Sequence, residues 1–484
     1  MKMNENELIE VGKKAVNYAQ KLGADEAEAF LYVENQTTVQ FVGGIFASRS
    51  GAVKGLKGTF ARIAEPWIKK KGLPQMRSGI KAGVGIRSIV NKATGFSSVS
   101  SIEEAKVLEA TEEATKIAKI RPPDPNWVSL PEAKKPKGDG GVFDSKLSEL
   151  SIDEIVDICA RHCVTLGDFD KRITQAVGMI STLHAFAGIV NTNGIETSDK
   201  GTAFSAYFSG KAKWKGEEVS GGDLVISRSY VEDLQPIAVN AAKRTVECFG
   251  KKLLPQKSSG VVIFENVSWY SLFSVIFTAA ISALNVQENR SVYMGKIGNQ
   301  VADEKFSVVD DGTLPNGFGT TKVDDEGFPR QKTAVVEKGI LRNILYDNYA
   351  AKREQKESTG NASRQGRVTT KYANQPIIRP TNLAISPGKT DLSGLIREIK
   401  SGVLLKESLT GALHSNVITG DFSVSSDNAF KIENGEVAFP LKACTVAGNL
   451  YEALNHVIAI GNDLKSFGNF VCPSLAIDKI VVST

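Results

Sequence analysis

From Val261 onward the chain is cut into short apolar runs by turns built from Gly, Asp and Asn, and this spacing restricts what it can fold into. In order the turns read Gly295-Lys-Ile-Gly298, Asp310-Asp-Gly312, Asp324-Asp-Glu-Gly327, Glu337-Lys-Gly339, Ser358-Thr-Gly-Asn-Ala-Ser-Arg364, Thr419-Gly-Asp-Phe-Ser423, Glu433-Asn-Gly-Glu436 and Gly461-Asn-Asp463. Gly, Asn and Asp tolerate the left-handed backbone that sharp turns need. Strands this short, joined this often, predict a mainly β, barrel-like C-terminal domain over 261–484. Helices are expected there only near Ser271 to Leu284, Tyr346 to Lys356, Leu392 to Lys400 and Leu450 to Ala459.

The first 250 residues read as an N-terminal α+β domain, an antiparallel sheet carrying helices. Asn4 with Glu7, then Leu8, Val11, Ala15, Tyr18 and Leu22 on one face, predict an opening helix that ends at Gly23. Strands are expected at Phe30 to Val33, Val39 to Val42 and Ile45 to Ala47, followed by a hairpin of Val84 to Val90 with Gly95 to Val99. Ser101-Ile-Glu-Glu104 and Ser151-Ile-Asp-Glu154 have the spacing of capping boxes and open two further helices. Asn193-Gly194 marks another hairpin, and a helix from Leu234 to Phe249 closes this half. The helix-then-sheet pattern occurs twice, with a Pro-rich extended connection at 121–141 between the repeats. Lys251 to Gly260 is the expected domain boundary.

With 42% apolar and 23% charged residues the chain has the composition of a soluble globular protein. The opening residues are polar and lack a signal-peptide pattern, so a cytoplasmic protein is expected. Five scattered cysteines suit a reducing compartment. Cys159, His162 and Cys163 cluster, but helical spacing places both cysteines on an apolar stripe that faces a core. The uncharged stretch from Asn266 to Gln287 holds four serines and lacks basic flanks, so it reads as a buried helix rather than a membrane span. The net charge of +5 is concentrated: between Lys54 and Lys81 eight basic residues face the single acid Glu65. This basic insertion, about 52–81, is either a solvated loop or a nucleic-acid-binding patch.

The turn series, together with Gly23-Ala-Asp-Glu-Ala-Glu28 and Gly83-Val-Gly-Ile-Arg87, resembles the TldD/PmbA family, the modulators of DNA gyrase, and within it the PmbA (TldE) branch. The resemblance implies a heterodimeric zinc metallopeptidase that cleaves unfolded or leader peptides. In the catalytic branch a helix carries His-Glu-x-x-x-His, whose imidazoles hold zinc while the glutamate takes a proton from the bound water. Aligned on Ser291-Val-Tyr-Met-Gly295-Lys-Ile-Gly298, those positions are Ser274, Val275 and Ala279 here, and the chain has no histidine between His184 and His414. The resemblance therefore implies a subunit with no catalytic residue, metal or cofactor of its own, and a TldD-like partner that carries His-Glu-x-x-x-His and the zinc.

Thr359, Gly360, Asn361 and Arg364, with Thr419, Gly420 and Asp421, are either structural turns or the lining of a groove where an extended peptide or the partner adds as a strand. A rival reading is a metal-independent hydrolase using Cys472 or a serine near His414. His456, between apolar neighbours, reads as a packed residue of a helix. No Gly-x-Ser-x-Gly elbow, phosphate-binding loop or complete dinucleotide motif occurs.

Overall fold

The computed structural model describes residues 5–44, 72–138, 140–254, 257–366 and 370–484. The strand expected at Ile45 to Ala47 lies outside them. So do Lys54, Lys57, Arg62, Lys69, Lys70 and Lys71 of the basic insertion, whose Arg77 and Lys81 are described.

The two helix-then-sheet repeats build one sheet. Helix α1 (Glu5–Lys21) leads into strands β1 (Glu26–Gly44), β2 (Gly72–Val90) and β3 (Ala93–Val99), then helix α2 (Glu104–Ile120). Helix α3 (Ile152–Asp168) leads into β4 (Ile173–Asn191), β5 (Glu196–Trp214) and β6 (Glu217–Ser227), then helix α4 (Gln235–Val246). The strand order is β3-β2-β1-β4-β5-β6, so the halves join where β1 pairs antiparallel with β4. The break expected between Val33 and Val39 does not interrupt β1, because that strand pairs along nearly its whole length with β2 on one side and β4 on the other.

Strand alternation assigns the two faces of β1. Ala27, Ala29 and Leu31 pack with α1, and Val39 and Phe41 pack with α3. Glu28, Phe30, Tyr32 and Glu34 point the other way, where Phe30 and Tyr32 pack with Tyr372 of the C-terminal half. Both predicted thiols lie in the α3 core, and Cys163 is held protonated by its bond to Cys159 and by burial.

Ser151 caps α3 as a complete capping box. The box expected at Ser101 does not form. Helix α2 begins only at Glu104, its N-cap Glu103 makes no capping bond, and the Ser101 hydroxyl accepts from Glu103 N at 3.1 Å. The Pro-rich connection is extended as expected but does not simply cross the surface. Trp127 and Leu130 are buried beside Ile89 and Tyr349, and Asn348 Nδ2 donates to Ser129 O at 2.7 Å, so the connection straps the N-terminal sheet to the C-terminal half.

The C-terminal half is rich in short strands, but their order does not close into a barrel. A six-stranded sheet contains Val308–Asp311, Lys332–Glu337 and Leu383–Ile385; an eight-stranded sheet contains Ser258–Phe264, Gly402–Leu405 and Leu475–Ser483. Both sheets contribute to one core around the segment 266–280, which accounts for the barrel-like reading of the sequence. That segment is not the continuous helix expected. Asn266–Leu272 is α-helical, Phe273–Phe277 is a π-turn, Thr278–Ala280 is again α-helical, and a separate short α-helix, Ala283–Gln287, follows. Among the described residues no helix is long and apolar enough to cross a membrane. The helix expected over Leu450 to Ala459 stops early: Leu454–His456 is a 3-10 helix and Val457–Ile460 a strand, so His456 ends the helical stretch rather than lying inside it. Ala212, Val219 and Cys248 share a buried cluster with Ile263, Leu404 and Phe430, so the packing is continuous across the expected boundary.

Candidate functional site

Three features of the structure bear on function. The first is the interrupted segment at 266–280. Phe273 and Phe277 stack with centroids 4.5 Å apart and, with Ile276 and Ala280, are fully buried. Ser274, Val275, Thr278 and Ala279 lie on the opposite, half-buried face. A π-turn is rare and often marks a functional position. The groups at the three aligned positions are a hydroxyl, an isopropyl and a methyl, which do not fit a zinc ion wanting imidazole, thiolate or carboxylate donors. Among the described residues no group of three or more His, Cys, Asp or Glu side chains is placed to hold a metal.

The second is a buried ion network that gathers four of the motifs singled out above. Cross-strand neighbours Glu28 and Arg87 pair at 3.0 Å, and the same guanidinium nitrogen reaches Glu326 Oε1 at 2.9 Å. Arg364 pairs with the other oxygen of Glu28, and its backbone amide donates to Asp325 Oδ2 at 2.7 Å. Lys371 extends the chain to Asp325 at 3.0 Å. Burial works against the charge on Arg87, but Glu28 and Glu326 outweigh it and raise the pKa. Burial likewise opposes ionisation of Asp325, yet Lys371 and Arg330 hold its carboxyl below the usual range. Two neighbours are not so compensated. Burial, against the pull of Arg330, raises Asp324 to about 7, and burial, then the charge of Glu326, raises Asp347 to about 7.

The network decides where the predicted groove residues go. Asn361 is fully buried, donating to Asp310 Oδ2 at 2.7 Å and to Arg379 O at 3.0 Å, and Thr359 Oγ1 donates to Asn361 Oδ1 at 2.6 Å. Arg364 is buried in the network, so neither its side chain nor that of Asn361 is available to an added strand. Thr419 and Asp421 instead occupy an exposed turn, bonded to each other at 2.6 Å and to Asn449. Gly360 (φ 72°) and Gly420 (φ 87°) do take the left-handed backbone. No interaction among the described residues links the two groups of the expected groove.

The third feature is a cleft of about 450 Å³ between the N-terminal sheet and the C-terminal half, with Tyr32, Glu34, Lys81, Arg228, Arg330 and Lys371 in its walls. Ser363 and Gln365, on either side of Arg364, also line it. Of these wall residues, Lys81 of the basic insertion and Ser363 of the Ser358–Arg364 turn fell within stretches singled out for function from the sequence, and the others did not. The available signal was on β1, where Glu28, Tyr32 and Glu34 alternate with apolar residues in a strand that is buried on both faces. The rival nucleophile fares poorly: Cys472 is fully buried and burial raises its pKa far above the usual thiol range. His414 is exposed, and among the described residues its ring has no hydrogen bond to a serine or carboxylate.

The sequence matches the PmbA/TldA metallopeptidase C-terminal domain over residues 257–484, the central domain over 145–249 and domain 1 over 69–118. An uncharacterised protein of Methanocaldococcus jannaschii is 30% identical over 416 residues, which span 85% of this chain and 92% of that relative. The chain belongs to the PmbA/TldD metallopeptidase family. Within the PmbA/TldD proteins, the metalloprotease PmbA homologue of Haemophilus influenzae is 27% identical over 413 residues, covering 83% of this chain and 85% of the relative. The crystal structure of TldE from Thermococcus kodakarensis superposes with a TM-score of 0.80 at 25% identity, covering 98% of this chain and 100% of that one. A role related to peptidase activity follows from this membership.

Proposed function

We infer that this chain is the non-catalytic, TldE-like subunit of a cytoplasmic complex whose TldD-like partner carries His-Glu-x-x-x-His and zinc, and that the complex cleaves unfolded or leader peptides. The observation that carries this reading is the replacement of all three functional positions of the motif, at Ser274, Val275 and Ala279, on an otherwise intact family fold. None of these side chains can bind the ion or take a proton from its water. The chain then serves by shape, enclosing an extended substrate so that folded proteins are excluded. Of the expected groove, the exposed turn of Thr419 and Asp421 is the part open to a partner or peptide. Division of the chain into 1–250 and 261–484 belongs to the same reading. Affinity purification from the native source tests it: a companion bearing His-Glu-x-x-x-His is expected to co-elute, with chelator-sensitive cleavage of unfolded peptides. Elution of the chain alone, with cleavage intact, would contradict it.

A further inference from the structure

The cleft carries six basic residues in its walls (Lys81, Lys200, Arg228, Arg330, Lys371, Arg379) against two acidic ones, Glu34 and Asp199. Part of this charge is already paired: Lys81 with Glu34 at 2.9 Å, Lys371 with Asp325 at 3.0 Å, Lys200 with Glu5 at 3.4 Å. Arg228 differs. Its Nη1 donates to Phe318 O at 2.7 Å and its Nη2 to Val142 O at 3.2 Å, Nε has no partner, and among the described residues no carboxylate comes within ion-pair distance. Burial lowers its pKa, but a guanidinium stays cationic. Asp199, whose charge it feels, turns its oxygens to the backbone amides of Gly141, Lys200 and Lys322 at 3.0, 2.9 and 2.8 Å. The sequence also makes room for this cation, since a Cβ on Gly201 would overlap Nη2 and one on Gly141 would lie 2.8 Å from it. Beneath the charges, Leu183, Ala185 and Ala187 of β4 give the cleft an aliphatic floor.

An unpaired cation over an apolar floor, in a space large enough for a few residues of extended chain, selects for negative charge on a short aliphatic stem. We propose that this cleft holds the carboxylate of a Glu or Asp side chain in an extended peptide, so that acidic unfolded segments are the substrate class. This rests on the peptide reading above. The test titrates the purified full-length chain at low salt with two labelled peptides, identical except for Glu or Gln at two central positions, and separately with inorganic phosphate. The Glu peptide is expected to bind about tenfold more tightly, as one charge-assisted contact gives, and the difference should shrink with added salt. The preference should fall in R228Q and, because Arg228 also bonds two carbonyls, in the rim variant K81Q, which leaves those bonds intact. Equal binding of the two peptides, binding of neither, an unchanged preference in both variants, or binding of phosphate alone would overturn the proposal. Equal binding would leave the peptide reading standing; the co-elution experiment tests that reading separately.

Discussion

Glu28, fully buried, receives two arginines, and that single carboxylate ties strand β1 to both β2 and the C-terminal turns. A buried ion pair is weak evidence for net stability, but removing one partner leaves an uncompensated charge and costs about 3–5 kcal/mol. E28Q, which keeps the shape and deletes the charge, is therefore expected to lower the unfolding free energy by about 3 kcal/mol in a urea titration; a change under about 0.5 kcal/mol, the range of an ordinary surface substitution, would mean the network contributes nothing. Asp347 gives a pH signature. Its carboxyl holds a proton to about 7 in the folded state, against about 3.9 in an unfolded chain. The folded state thus binds more protons between those values, and the stability this group contributes is full below about pH 4 and lost as pH rises through 7. Asp325, held low, acts in the opposite sense, adding stability above its unfolded pKa that is lost as pH falls through its depressed folded value. D347N keeps an N-cap acceptor for Ala350 N, so its melting temperature should decline less than that of the unaltered chain between pH 5 and 7. Parallel curves would show that Asp347 titrates normally.

At the scale of elements, local signals succeeded where the chain decides its own geometry and failed where distant packing does. Ser151 and Glu154 form their box because both partners lie within one turn and face solvent. At Ser101 the same spacing fails: the preceding strand β3 ends at Val99, and the helix starts two residues later than the pattern requires. S151A is expected to cost about 1 kcal/mol and S101A under about 0.5 kcal/mol, measured by thermal melting of each variant; equal losses would contradict the difference in caps. The same distinction explains the rest. Positive φ at Gly360 and Gly420 was legible because residue type alone permits it, whereas the burial of Asn361 and Arg364 was not, because it depends on Asp310 and Glu28, far away in sequence. The π-turn at Phe273–Phe277 has no local signature either; it sits where aromatic rings from Phe306, Tyr293 and Trp269 crowd the segment from several sides.

For the whole molecule, the doubled helix-and-sheet pattern was visible as two repeats, while their fusion into one six-stranded sheet was not, because pairing of β1 with β4 leaves no mark in either repeat alone. The barrel-like, mainly β half expected from short strands takes the form of two sheets around a shared core rather than one closed barrel, because turn frequency reports strand length, not closure. Four of the quoted motifs meet in the buried ion network that joins the halves, and the functional account rests on the proposed loss of the metal ligands at Ser274, Val275 and Ala279. Its central claim is tested most directly by the zinc content of the purified, dialysed chain, measured by elemental mass spectrometry without a partner. The account predicts far less than one zinc per chain; one tightly held zinc per chain would contradict it.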